Sequence, residues 1–275
     1  MRTRQRLRSA GLVTWLATAI AAAAAAETPD PEEILRETFA RRYDADITAE
    51  IELVMRDRNG REHRRVFDAA SKLIDGMHHS VGKLNWPHYL RDMTILTIEA
   101  KGRDNESFVY LPTLGRVRRI SSSQKGDAFF GTDITYEDLE RRHVADFEIL
   151  AFEHTRTQGE ASYRIHARPV EKLTYNAVDY LIAASDLALL EMRYYKKRFE
   201  GAFRIITARR EELRLERGHI VPTRLTVENL SRHTTTTASF ENLVIDPEID
   251  DRLFSVTILE RNPELRNHTH GKRAE

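Results

Sequence analysis

The chain reads as a mainly β protein of the α+β kind, an incomplete antiparallel barrel with a few helices covering its open, apolar face. Three observations predict this. From Asp46 onward apolar residues recur at every second position; twelve such stretches follow one another as far as Leu243; and turn residues rather than long helices separate them.

The first residues have the shape of an export signal. Arginines at positions 2, 4, 6 and 8 precede an apolar stretch through Leu12, Trp15, Leu16 and Ile20, and small residues follow up to Ala26. Residues 1–26 are expected to be a signal peptide cut near Ala26. A membrane anchor is the competing reading, but the run from Gly11 to Ala26 is short of the roughly 20 residues a spanning helix needs. Cysteine is absent, so no thiol is available to carry a lipid. One domain is expected over residues 27–261, followed by a polar tail, 262–275, expected to be disordered. With 43 Lys and Arg against 43 Asp and Glu, and no basic stripe, the charge gives no reason to expect nucleic acid as a partner.

Asp30-Pro31-Glu32-Glu33 has an N-cap acid, a proline at the first helical position and acids in the first turn. These predict a helix over roughly 31–43, with Ile34, Leu35, Phe39 and Tyr43 along one side. Ile47, Ala49, Ile51, Leu53 and Met55 then alternate with polar residues, the mark of a strand with one dry face. Asp57-Arg58-Asn59-Gly60 turns the chain into a second strand, Glu62 to Ala69. Further strands are predicted at 93–100, 107–111, 116–121, 147–152, 161–167, 178–183, 187–195, 202–209, 220–228 and 235–243, with turns such as 101–104 between them. A second helix is predicted over 135–142 from the capping pattern at Thr135, and a helical turn at 250–254. These elements would cover the dry face.

The most distinctive stretch contains Tyr110-Leu111-Pro112, Gly115-Arg116-Val117-Arg118-Arg119-Ile120, then Gly126-Asp127-Ala128-Phe129-Phe130-Gly131-Thr132-Asp133 and Tyr136-Glu137-Asp138. It resembles the central segment of the LolA-like family of outer-membrane lipoprotein-sorting proteins over about thirty residues; each short motif alone would be weak. The resemblance implies an incomplete barrel with helices in its mouth, an apolar cavity and residence in the periplasm. It also implies a lipid or acylated lipoprotein as cargo, an inner-membrane lipid-exporting transporter as donor and an outer-membrane acceptor. The latch arginine of the broader group of sorting proteins cannot be placed on any position of this chain.

From the strand faces, the expected lipid-binding walls are Ile47, Ile51, Leu53, Tyr163, Ile165, Phe203, Ile205, Leu225 and Val227. Tyr110, Pro112, Arg116, Arg118, Arg119, Phe129, Phe130, Gly131, Thr132 and Asp133 form a family motif that could dock a partner. Alternation puts Arg116 and Arg118 on one strand face and Arg119 on the other. They read either as a docking site for an acidic group or as a solvated face plus an ion pair with Asp127, Asp133 or Asp138. Phe129 and Phe130 read either as an exposed lid or as part of the core. Asp133, Glu137 and Asp138 could form an acid pair or metal site, but helix capping is the simpler reading, since no nucleophile accompanies them. His78, His79 and His88, and His268 and His270, lack a metal-ligand spacing. No catalytic residue, metal or cofactor is expected. The leading expectation is a periplasmic carrier of acyl chains, and the rival is an adaptor binding a membrane-protein segment without carrying anything.

Overall fold

The computed structural model describes residues 29–100, 105–261 and 265. The signal-peptide reading, the 101–104 turn, His268 and His270 lie outside the described residues, as does the tail apart from Leu265. Helix α1 (Pro31–Tyr43) begins as its sequence requires, with the Asp30 carboxylate accepting from the Glu32 amide at 3.0 Å. Its side chains Ile34, Leu35 and Phe39 are buried, and removing each from water contributes about 1.5–3 kcal/mol.

Fifteen strands follow: β1 (Ile47–Arg56), β2 (Glu62–Ile74), β3 (Met77–Trp86), β4 (Thr94–Ile98), β5 (Glu106–Leu111), β6 (Arg116–Ile120), β7 (Phe147–Thr157), β8 (Glu160–Pro169), β9 (Ala177–Ala183), β10 (Leu189–Tyr195), β11 (Ala202–Thr207), β12 (Leu213–Glu216), β13 (His219–Pro222), β14 (Arg224–Asn229) and β15 (Thr234–Ile245). Thirteen of them make one antiparallel sheet in the order β6-β5-β4-β3-β2-β1-β15-β14-β11-β10-β9-β8-β7, and β12 pairs only with β13. The sheet stays open, with β6 and β7 as its edges.

Register decides which residues share the inner face. Ile51 stands opposite Phe67 and Phe240, Ala69 opposite Ala49 and Gly82, and Ile95 opposite Gly82 and Val109. On the far half Ile165 pairs with Tyr180 and Ile206 with Val227. Helix α1 fills that half, where Phe39 meets Tyr180 edge-on and Phe147 at a tilt, in a cluster with Ile165, Ile182, Ile206 and Val227. Residues 121–146, here called the strap, cross the other half.

Several expectations need correction. Strand β3 was not expected, because three of its inward positions, His78, Ser80 and Gly82, carry no large apolar side chain and only Leu84 does, which gives no alternation. The strand expected over 220–228 breaks at Thr223, whose N–H and hydroxyl both donate to the Glu212 carbonyl, at 2.7 and 3.0 Å, and bend the chain between β13 and β14. The helix expected over 135–142 is a single 3-10 turn, Tyr136–Leu139. Its cap forms, with Asp138 accepting from the Thr135 amide and hydroxyl at 2.7 Å, but the backbone turns extended at Glu140 and the helix goes no further. The turn at Asp251–Phe254 leads into a short helix, α2 (Val256–Glu260). Leu253, Phe254 and Leu259 pack on Ala70, Val81 and Leu96, the face opposite to Ala69, Gly82 and Ile95. The sheet is therefore covered on both faces over β2 to β6.

Candidate functional site

An apolar cavity of about 960 Å³, counting its open mouth, lies between the inner face of β1 to β4 and the elements above it. Its floor exists because the central strands carry small residues where they face inward: Ala49, Ala69, Ser71, Ser80, Gly82 and Thr97. Ile47, Ile51, Phe67, Ile95 and Phe240 surround that shallow patch. The end of α1 supplies Arg42 and Tyr43, β13 supplies Val221, and the strap supplies Phe129 and Leu139. A cavity mostly lined by apolar groups, with a few polar ones at one side, is the usual form of a small-molecule site.

Two lining groups, His78 and Arg42, are basic. Burial, reinforced by the nearby Arg141 charge, pushes the His78 imidazole down to about 4, so it stands neutral at ordinary pH. Arg42 lies 5.5 Å from the centre of the Tyr43 ring. Burial lowers its pKa too, yet a guanidinium remains charged at neutral pH. Among the described residues no carboxylate lies within ion-pair distance of it. Close by, Arg141 joins Asp44 to Glu99, which also accepts from His143 and from the His78 amide. This network ties the end of α1 to the strap and to the end of β4.

The strap is fixed by the acids of the distinctive motif. Asp133 accepts from the hydroxyls of Thr234 and Thr236 on β15, at 2.5 and 2.9 Å. Glu137 accepts from the amide and hydroxyl of Thr174, both at 3.1 Å. Asp138 receives both terminal nitrogens of Arg204, at 2.6 and 2.7 Å, and Arg204 lies over the Tyr194 ring. Burial, the largest single influence, depresses the Arg204 guanidinium, but the Asp138 charge and hydrogen bonds together with Tyr194 and Glu137 outweigh it and hold the pKa above its ordinary value. Gly126 runs so close to Thr174 that a Cβ would stand 2.4 Å from its methyl group. Phe130 and Gly131 both have positive φ, making the sharp turn that plants Phe129 inward.

Of the nine expected wall residues, Ile47 and Ile51 line the cavity. Leu53 is packed among Phe67, Leu84 and Phe129. Tyr163, Ile165, Phe203, Leu225 and Val227 belong to the cluster under α1. Ile205 faces the other way, opposite Glu228, because Arg204 and Ile206 take the inner positions of β11. Of the two β11 residues expected inside, Phe203 is in the core, at a bulge opposite the end of β10, and only Ile205 is one residue out; an arginine paired in the core carries no apolar signal.

Of the motif residues, Phe129 is 2 % exposed and meets Phe67, Phe130 and Tyr136 edge-on, so the core reading holds for it rather than the lid. Thr132 caps the turn by donating to the Phe129 carbonyl at 2.7 Å. Tyr110 packs beneath α2, and Pro112 opens the turn before β6. Arg116, Arg118 and Arg119 are exposed on edge strand β6. Arg119 pairs with Glu106 at 3.1 Å, and Arg204 is the partner of Asp138. Sequence reading missed the wall residues Phe67, Ile95 and Phe240 and the floor residues Ala49, Ala69 and Gly82; the only signal of the floor residues is smallness.

Residues 77–261 match the model of a family whose description reads "Uncharacterized protein". No curated protein matches the sequence. Among solved structures the chain is similar to an outer membrane lipoprotein-sorting protein domain from Vibrio parahaemolyticus, with TM-score 0.74 and 19% identity over 83% of this chain and 97% of that one. A DUF1329 family protein from Desulfovibrio piger gives TM-score 0.73 and 22% identity over 84% of this chain and all of that one. A LolA superfamily protein from Nitrosomonas europaea gives 0.65 and 16% over 83% and 98%.

Proposed function

The chain belongs to the family whose model spans residues 77–261, and its fold is LolA-like; from that premise we propose that it is a non-enzymatic carrier of acyl chains, working in the periplasm after removal of residues 1–26. The observation that carries this reading is the cavity floored by Ala49, Ala69 and Gly82 and walled by Ile47, Ile51, Ile95 and Phe240. An acyl chain laid there leaves water at about 0.8 kcal/mol per methylene, so ten methylenes contribute about 8 kcal/mol before ordering costs. Arg42 stands where it can meet the polar end of the cargo. Loading from an inner-membrane transporter and delivery to an outer-membrane acceptor complete the reading. Among the described residues no helix is long and apolar enough to cross a membrane.

The adaptor reading requires a cavity filled by the protein's own side chains. The small floor residues leave it unfilled, which favours a carrier. Native mass spectrometry of the protein isolated from a bacterial periplasm, followed by lipid extraction, tests the proposal. A bound lipid or acylated protein that is lost in Ile51→Asp supports it; a protein that is empty and also takes up no acyl probe refutes it.

A further inference from the structure

The two ends of the main sheet differ in charge. Six turns at one end, 57–61, 87–93, 112–115, 170–176, 196–201 and 230–233, carry eight Lys or Arg against four Asp or Glu. At the other end, connections 44–46, 75–76, 184–188 and 246–250 carry seven acids and no base, and 208–223 carries four bases against three acids.

Within the basic end, a crevice of about 540 Å³, counting its mouth, opens between the β10–β11 turn, the β14–β15 turn and the strap. Its walls hold four cations, Lys196, Arg198, Arg204 and Arg232, against one carboxylate, Asp133. Arg204 is taken by Asp138, and Asp133 by its two threonines. For Lys196, Arg198 and Arg232 no carboxylate lies within ion-pair distance among the described residues. Lys196 is half-buried, with its ammonium 4.3 Å from the centre of the Phe203 ring. Burial lowers its pKa, and Arg198, Arg204 and Arg232 lower it further, so these charges lie near enough to repel it. Asn229 also lines the crevice and is 8 % exposed; its carbonyl accepts from Ser231 and from the Arg232 amide, and its side-chain N–H groups have no partner among the described residues.

Cations gathered without counter-charge raise the free energy of the folded chain unless an anion joins them. We propose that this crevice is a binding site for a phosphate group, held by Lys196, Arg198 and Arg232 with the Asn229 amide as a neutral donor. Guanidinium groups suit the paired oxygens of a phosphate. The surroundings fit a phospholipid headgroup as its source, since Trp86, Tyr89, Leu114, Val170 and Leu230 are exposed at this same end, the kind of aromatic and basic mixture that rests at a bilayer surface.

The test uses protein purified after expression of the full chain, and the triple variant Lys196→Gln, Arg198→Gln, Arg232→Gln. Binding is read by calorimetry with inorganic phosphate and by co-sedimentation with phosphatidylglycerol or phosphatidylcholine vesicles. At about fivefold per cation near an anionic surface, the triple variant should bind phosphatidylglycerol vesicles about 100-fold more weakly, and phosphatidylcholine should bind neither protein. Its Tm in phosphate-free buffer should equal or exceed that of the parent, because crowded like charges have been removed. Should it instead unfold, Arg232→Gln alone, at an exposed position, should still show a loss of about fivefold. Loss of both phosphate and vesicle binding identifies a lipid headgroup; phosphate binding without vesicle binding identifies free phosphate. A variant that binds both probes as the parent does, or a parent that binds neither, overturns the site. Acyl-probe uptake by the cavity should be unchanged in the variant, which separates this result from the fate of the carrier reading.

Discussion

Replacing Arg204 by Met removes the one cation that holds Asp138 in the interior. Arg204 is 3 % exposed, and both its terminal nitrogens reach the Asp138 carboxylate, at 2.6 and 2.7 Å. Without it, Asp138 keeps only the amide and hydroxyl of Thr135 as donors. An isolated charge left in a poorly hydrated site costs about 3–5 kcal/mol. In a domain of this size each kcal/mol moves Tm by about 2–4 °C, so a fall of roughly 6–20 °C is expected. Asp138→Asn should cost a similar amount, because it leaves the guanidinium buried instead. The double variant should cost clearly less than the two singles together, by about 2 kcal/mol or more, since replacing a buried pair is often close to neutral. Thermal and urea unfolding of the four proteins by circular dichroism measures this, and hydrogen exchange of residues 128–139 should show whether the strap loosens first. Single variants that each cost under about 1 kcal/mol and add without coupling would refute the reading of this pair as the buckle of the strap.

Ala69→Leu places a larger side chain on the cavity floor; acyl-probe affinity should fall at least about tenfold while Tm holds or rises, and unchanged affinity would show that the probe binds elsewhere. Phe129→Ala empties a packed site and should cost about 3–5 kcal/mol in chemical unfolding, whereas Phe130→Ala, at a half-buried position, should cost clearly less; equal costs would argue against the inward placement of Phe129. His78 resists protonation in the folded protein down to about 4, whereas an unfolded imidazole takes up a proton near 6.5. Below pH 6.5 the unfolded chain therefore binds more protons, and this group costs stability increasingly as pH falls to 4. His78→Gln should lose about 2 kcal/mol less than the parent between pH 7 and 4.5, as measured by urea unfolding at both pH values; parallel losses would rule this out.

Much of the fold was legible in the sequence because its signals are local. The Asp30 cap and Pro31 set the start of α1, the Asp57 and Gly60 turn set the first hairpin, and period-two alternation marks Ile47 to Met55 and Tyr163 to Ala167. The likeness of the 110–139 segment pointed to the right architecture. Only the tertiary structure decided the rest, because the deciding contacts join residues far apart in the chain. Arg204 counts as polar until Asp138, 66 positions away, is found beside it, and that pairing goes with Arg204 and Ile206, rather than Ile205, facing inward. Ala49, Ala69 and Gly82 lie on three strands and say nothing separately; antiparallel register sets them side by side and leaves room above them. The capping pattern at Thr135 was read correctly and formed, yet the helix did not follow: the backbone is extended at Glu140, and Asp133, Glu137 and Asp138 tie the strap to Thr234, Thr174 and Arg204, far away in the chain. Local chemistry fixed where elements begin and turn, and pairing across the sheet fixed what they enclose.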